Sequence, residues 1–174
     1  QISNSLVNQN IISVNDLKNF RLQGGGIWAS GAVELYKTEV SSNGLGVYSP
    51  QLTTDFIRLD GAGLFVAEDS AATVSRSTFS ANIIWPAPSL PGLPGNASGS
   101  GNGIYSLGNL LVDNSFFRFN ANSLGFKGGA IYCVTGSCDI VHSTFYNNRI
   151  DSTGVSPGQT IYYDSSAAYP SRTL

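Results

Sequence analysis

Few residues of this sequence have side chains and spacing that point to catalysis. The single histidine, His142, stands beside Ser143 in a stretch whose composition predicts a strand. We expect it to face solvent or to bond within the sheet. Serine is abundant, so counting residues does not exclude a Ser-His-Asp triad, but abundance is not evidence of a site. No catalytic, cofactor-binding or metal-binding residue is therefore assigned from the sequence.

Two cysteines bracket a four-residue turn. Cys133 and Cys138 enclose Val-Thr-Gly-Ser, in which Gly136 supplies the positive φ of a tight turn. An extracellular protein keeps such a pair as a disulfide, and this interpretation is favoured over two free thiols. A zinc site requires four ligands, and two cysteines alone do not supply them.

A second candidate modification lies in the segment Trp85 to Asn102, which holds four of the seven prolines and is rich in Gly and Ser. This composition predicts a semi-extended projecting loop. Asn96 begins the sequon Asn-Ala-Ser and is a candidate glycosylation site; a flexible spacer is the alternative interpretation. Trp28 and Trp85 are candidates for stacking on sugars or on a neighbouring subunit, or are ordinary sheet residues.

The composition narrows the class of protein that can position these residues. Nine Lys and Arg stand against eleven Asp and Glu, with no basic run, so nucleic acid is a poor partner. No apolar stretch approaches the roughly 18 residues of a membrane-spanning helix. The chain of 174 residues is 41% hydrophobic and predicts a single domain, residues 1–174. Its start at Gln1, without Met, indicates a processed or partial polypeptide.

An internal repeat organises the chain. Each copy has a Gly-rich start and a Ser/Thr-x-aromatic-x-x-Asn ending, and the Asn spacings of 33, 39, 38 and 28 place insertions outside the motif. The asparagines are Asn10, Asn43, Asn82, Asn120 and Asn148. The Ser/Thr positions are Ser5, Thr38, Ser77, Ser115 and Ser143. Between them stand Val7, Val40, Phe79, Phe117 and Phe145.

This periodicity predicts an all-β solenoid, a parallel β-helix of about five coils with the segment 85–102 inserted as a loop. Equivalent residues then stack in rows about 4.8 Å apart, which form an Asn ladder and a Ser/Thr ladder. A buried Asn at a coil's turn bonds the next Asn and the local backbone. The Gly-rich starts permit tight corners, and the apolar rows fill the core.

The Gly-Gly-Ala-Ile element at Gly128 and the Phe-x-x-Asn element at Phe79, Phe117 and Phe145 resemble the repeats of the chlamydial polymorphic outer-membrane proteins. The resemblance covers most of the chain and implies a right-handed parallel β-helix of a secreted or autotransported adhesin. Departures are Val7 and Val40 in place of Phe.

Polysaccharide-cleaving enzymes are the competing class, because parallel β-helices also carry lyases and glycoside hydrolases that gather acids or a basic residue on one face. Only Glu68 and Asp69 are adjacent acids, and neighbours on a strand point to opposite faces, so they are assigned to a turn. Asp55, Arg58 and Asp60 precede a Gly-rich start and are the other group able to converge.

The sequence thus predicts a non-catalytic extracellular or cell-surface scaffold without cofactors, acting as a surface adhesin or as a fibre subunit. The chain begins and ends within a repeat, so association through open solenoid ends into a homo-oligomer or filament is expected. Glycans are possible ligands. The alternatives are a carbohydrate-active β-helix enzyme and a carbohydrate-binding module.

Overall fold

A computed structural model describes residues 1–14, 20–47, 57–85, 97–122, 127–150 and 160–164. These residues form 23 β-strands and contain no helix, which confirms the all-β prediction. Short strands are expected here, because β-branched and aromatic residues come in groups of three to five between Gly, Ser and Asn.

The chain passes repeatedly through the same five sheets, called A to E in chain order, and one such passage is called a layer. The first layer contains β1 (Ile2–Ser3), β2 (Leu6–Asn8), β3 (Ile11–Val14), β4 (Phe20–Gln23) and β5 (Ile27–Ala29). The second contains β6 (Ala32–Tyr36), β7 (Glu39–Ser41), β8 (Gly44–Val47), β9 (Ile57–Asp60) and β10 (Leu64–Val66). The third contains β11 (Ala71–Ser75), β12 (Thr78–Ser80), β13 (Ile83–Trp85), β14 (Ala97–Ser100) and β15 (Ile104–Ser106).

The fourth and fifth layers have no strand of sheet D among the described residues. The fourth contains β16 (Asn109–Asp113), β17 (Phe116–Arg118), β18 (Ala121–Asn122) and β19 (Ile131–Cys133). The fifth contains β20 (Cys138–Val141), β21 (Thr144–Tyr146), β22 (Arg149–Ile150) and β23 (Ile161–Tyr163). Sheet D therefore has three described strands, and the other four sheets have five each.

Strands of successive layers are neighbours in every sheet, and their pairing is parallel. This stacking is compatible with a solenoid. Sheet B shows the register most clearly, because Phe79 pairs with Val40 below it and with Phe117 above it. The rings of Phe79 and Phe117 stack with centroids 5.1 Å apart, and those of Phe117 and Phe145 with centroids 5.0 Å apart. The core is thus filled by rows of like side chains.

Left-handed backbone recurs at three corners of the described layers. Between sheets A and B and between sheets B and C, this conformation is adopted by ordinary residues, such as Lys37 (φ 50°) and Ser42 (φ 55°). Between sheets D and E it is adopted by glycine in four layers, for example Gly61 (φ 69°). A Cβ on Gly61 would lie 2.5 Å from the Leu64 carbonyl oxygen, so this corner admits only glycine.

The segment 85–102, predicted to be a projecting loop, is bounded by sheets. Trp85 ends β13 in sheet C, and residues 97–100 form β14 in sheet D. Gly101 and Asn102 are buried. Its two ends therefore belong to the sheets, because the chain must reach sheet D before the next glycine corner, and residues 86–96 lie outside the described part of the chain.

Candidate functional site

The five predicted asparagines lie in one row at the corner between sheets B and C. The Nδ2 of each donates to the Oδ1 of the asparagine in the next layer, with distances of 2.9, 3.0, 3.0 and 2.8 Å in chain order. That Oδ1 also accepts the backbone N–H of the asparagine below, as in the 3.1 Å bond from Asn82 to Asn120. The second Nδ2 hydrogen is donated to a carbonyl of the preceding layer, as from Asn82 to Val40. The row holds the layers together, and the amides of Asn43, Asn82 and Asn120 have all their hydrogen-bonding groups occupied by protein.

The predicted Ser/Thr row lies at the corner between sheets A and B. The N–H groups of Thr38, Ser77 and Ser115 each donate to the hydroxyl of the next layer at 3.1 Å. The serine hydroxyls in turn donate to the carbonyl two residues earlier, for example Ser115 to Asp113 at 2.9 Å. Each hydroxyl thereby satisfies polar backbone groups at a turn where ladder bonds are interrupted.

A cluster of charged and aromatic side chains, which we call the cation–aromatic corner, lies where the outer faces of sheets D and E meet. On sheet E the outward position of successive layers is aromatic: Trp28, Phe65, Tyr105, Tyr132 and Tyr162. Three cations lie over these rings. Arg21 is 5.9 Å from the centre of Phe65, Arg58 is 5.5 Å from Tyr105, and Lys127 is 4.4 Å from Tyr162.

Asp60 sits at the base of the corner and joins two of the cations. Its Oδ2 accepts Arg58 Nε at 2.7 Å and Arg21 Nη2 at 3.2 Å, and its side chain is only 1% exposed. Arg58 also donates to the Tyr105 hydroxyl. Burial raises the pKa of the Asp60 carboxyl, whereas the two guanidinium groups oppose that shift. Two cations and one acid leave this cluster with an excess of positive charge when Asp60 is ionised.

A second acid, Asp164, joins the corner at its other end. Its Oδ2 accepts Tyr132 Oη at 3.0 Å and Lys127 Nζ at 3.2 Å. Burial raises the pKa of Tyr132, and the hydrogen bond and charge of Asp164 raise it further. Burial also raises the pKa of Tyr105. Phenols that stay neutral are poor general bases, so Tyr105 and Tyr132 are poorly suited to removing a proton.

Sequence reasoning placed Arg58 and Asp60 together but missed Arg21, Tyr105 and Tyr132. Asp55 lies outside the described residues. A signal for the missed tyrosines was present, because an aromatic residue follows one apolar residue after each Gly-rich start. Whether these aromatic residues meet the cations depends on the angle between sheets D and E, which the sequence repeat does not encode.

The adjacent acids that the sequence assigns to a turn form no enclosed site. Glu68 and Asp69 lie in the turn between β10 and β11, as expected, and line a cavity of about 200 Å³ with Asn109 and Thr135. Pockets for organic ligands are larger, about 300 to 1,000 Å³. Among the described residues no three His, Cys, Asp or Glu side chains are grouped as metal ligands.

His142 lies just outside a strand, which corrects its assignment to one. β20 ends at Val141, and His142 adopts the left-handed turn conformation (φ 48°) because it stands at the corner between sheets A and B. Its Nδ1 is 3.2 Å from Oδ1 of Asp113 in the layer below, and its side chain is 83% exposed. An exposed pair of this kind contributes little to stability.

The predicted disulfide between Cys133 and Cys138 is present and joins β19 to β20. Of the two tryptophans, Trp28 is 55% exposed at one end of the aromatic row. Trp85 instead covers sheet C, since a Cβ on Gly46 would lie 2.5 Å from its Cε2. Trp28 is thus the tryptophan available for stacking. Asn96 lies outside the described residues.

One further motif escaped the sequence reasoning. Residues 154–158 read Gly-Val-Ser-Pro-Gly, the spacing of the turn that presents a nucleophilic serine in α/β-hydrolases. The residue after that serine must offer its backbone N–H to the oxyanion, and Pro157 has none. The motif therefore lacks the chemistry of the hydrolase turn, and its residues lie outside the described part of the chain.

Comparison with known proteins finds no family model, no curated protein and no solved structure that matches this chain. Within the described residues, no helix has the length and hydropathy needed to cross a membrane.

Proposed function

We propose that this protein is a right-handed parallel β-helix of about five coils that serves as a non-catalytic extracellular scaffold of the surface-adhesin type. The proposal rests on the groups to which the recurring polar side chains bond. The asparagine and Ser/Thr rows bond to neighbouring layers, so the repeated motif builds a stack rather than an active site.

An extracellular location is supported by the disulfide, since such bonds persist in oxidising surroundings. The low charged fraction of 11% also favours a surface of Ser, Thr, Asn and Gly. The likeness of the Gly-Gly-Ala-Ile and Phe-x-x-Asn elements to chlamydial outer-membrane repeats supports an adhesin.

Attachment of protein-coated beads to cultured cells tests the proposal directly. We expect coated beads to bind in excess of beads coated with an unrelated β-sheet protein, and soluble protein to compete for the same sites. No excess binding across several cell types would refute the adhesin function. Electron microscopy of the same preparation tests end-to-end association, which predicts filaments rather than discrete particles.

Carbohydrate recognition at the cation–aromatic corner is the second candidate function. It is favoured by exposed Trp28 and by the cations Arg21, Arg58 and Lys127 along the same ring row, because an exposed ring stacks on sugars and guanidinium groups bind carboxylates. Binding to acidic and neutral glycans is the test. We expect Trp28→Ala and Arg21→Gln to weaken it at least several-fold, and Arg76→Gln, which lies in sheet A's corner, to leave it unchanged. A screen for release of new polysaccharide ends separates an enzyme from a binding module.

A further inference from the structure

Asn102 is the described residue whose buried polar side chain has no partner. Its side chain is fully buried, and neither Oδ1 nor Nδ2 makes a hydrogen bond to any other group. Burying an amide without partners is costly, and buried amides in folded proteins almost always bond to protein or to an ordered water molecule. Asn82 and Asn120 of the same molecule are equally buried, but their amides are fully hydrogen-bonded.

The residues stacked on Asn102 are small. Backbone bonds from Gly26 to Ala62, from Gly63 to Asn102 and from Ile104 to Ala130 place Gly25, Ala62, Asn102 and Gly129 in one row through successive layers. Gly129 lies directly above Asn102 in this row and carries no side chain. The position directly above Asn102 therefore offers no side chain that could bond the amide.

The backbone ladder is interrupted at the same place. Gly26 and Gly63 each donate to the layer above at 2.9 Å, to Ala62 and Asn102 respectively. Among the described residues, Gly103 makes no corresponding bond to Gly129. A donor, the Gly103 N–H, and an acceptor, the Gly129 carbonyl, are thus left beside an amide that offers both kinds of group.

We propose that Asn102 holds an internal water molecule between the third and fourth layers. A water molecule both accepts and donates, so it satisfies Nδ2 and Oδ1 of Asn102 together with the interrupted backbone groups. A metal ion only accepts lone pairs, and the N–H donors here would repel it. The water replaces the direct layer-to-layer bond that the glycine corner makes in the lower layers.

A high-resolution crystal structure of the whole chain tests the proposal. We expect an ordered solvent peak within hydrogen-bonding distance of Asn102 Nδ2 or Oδ1, enclosed by the third and fourth layers. A clear map around Asn102 with no peak there would overturn the proposal. Oxygen-17 relaxation dispersion gives an independent reading in solution, in which a long-lived internal water is expected and its absence counts against the site.

Thermal unfolding of Asn102→Ala separates a hydrated amide from an unbonded one. If water bridges the amide, the variant loses these bonds and its unfolding midpoint falls below that of the wild type. If the amide has no partner at all, removing it raises the midpoint, and the proposal is wrong. Asn120→Ala, which removes an amide bonded to protein, is the control and lowers the midpoint in either case. Should Asn102→Ala fail to fold, the crystallographic and relaxation results on the wild type decide.

Discussion

At the scale of single residues, the fold depends on side chains that replace backbone bonds at corners. Asn82 accepts from the side chain and the backbone of Asn43 and donates to Asn120 and to the Val40 carbonyl. Asn10 stands in the same row but is exposed. Removing Asn82 therefore leaves buried groups without partners, whereas removing Asn10 leaves groups that water reaches.

Replacing Asn82 with alanine is expected to lower the free energy of unfolding by about 3 kcal/mol, because several buried groups lose their partners at once. Asn10→Ala is the matched control and costs less than about 1 kcal/mol, since water reaches the groups that it exposes. Urea denaturation measures both. Equal losses at the two positions would contradict the role given to the buried row.

The glycine corner gives a second contrast between like residues. A Cβ at Gly61 would meet the Leu64 carbonyl at 2.5 Å in a left-handed backbone, whereas a Cβ at exposed Gly31 meets nothing within 4 Å. We expect Gly61→Ala to destabilise by at least about 2 kcal/mol. Gly31→Ala is expected to be neutral or to stabilise by up to about 1 kcal/mol. Denaturation midpoints check the pair, and a tolerated Gly61→Ala would show that the corner can relax.

At the scale of the elements, sheets D and E form one polar and aromatic unit outside the core. Phe65 and Tyr105 stack with centroids 5.4 Å apart, and Tyr132 packs edge-on against Tyr105 at 5.2 Å. All three rings are buried although they point away from the inner core. The protonation of the Tyr105 and Tyr132 phenols and of the cations above them is therefore coupled to the stability of the fold.

Alkaline stability is expected to depend on Tyr132. Its pKa in the fold is raised above the ordinary value of about 10, so the stabilisation is complete below that pH and is lost as pH rises through the raised pKa. Tyr132→Phe removes this part of the pH dependence, and Asp164→Asn reduces it because the carboxylate helps to raise the pKa. Denaturation midpoints at several alkaline pH values measure the effect. An unchanged profile in Tyr132→Phe would contradict it.

The disulfide links β19 to β20 across a short turn. Closing so few residues restricts the unfolded chain modestly, so reduction is expected to lower the free energy of unfolding by about 2 kcal/mol. The comparison is wild type with and without reductant. The Cys133→Ala/Cys138→Ala variant is the control, because reductant leaves its stability unchanged. A wild type that is insensitive to reductant would mean that the strands are already fixed without the bond.

At the scale of the whole molecule, each layer contacts the layers directly above and below it. Stability then approximates a sum of layers and of interfaces between neighbours. The middle layers have a neighbour on both sides, and their inward residues Leu64, Phe79 and Phe117 are buried.

Hydrogen exchange is therefore expected to be graded along the stack. Amides of β10 to β17 should exchange slowest, and those of β1 to β3 and β20 to β23 fastest, because the outer layers open without disturbing the middle. Mass spectrometry of exchanged fragments measures this. Uniform protection across all five layers would indicate a single cooperative unit instead.

The repeat predicts the stacked rows because the same residue types recur at a fixed spacing in each copy of the motif. Val7, Val40, Phe79, Phe117 and Phe145 occupy one register in sheet B, and the asparagine row follows three residues later. Two features have no such signal. The left-handed corners at Lys37 and Ser42 carry ordinary residues, so only the structure reveals them. The cation–aromatic corner joins Arg58 to a tyrosine 47 residues away through the angle between two sheets.

The asparagine row also has a direction. All four amide bonds run from Nδ2 of one layer to Oδ1 of the next, so the amide dipoles align along the stacking axis and polarise one another. A unit that presents its amide in the opposite sense cannot continue the row, because oxygen would meet oxygen at the Asn10 end and NH2 would meet NH2 at the Asn148 end. A further layer that continues this row must therefore present its asparagine amide in the same sense.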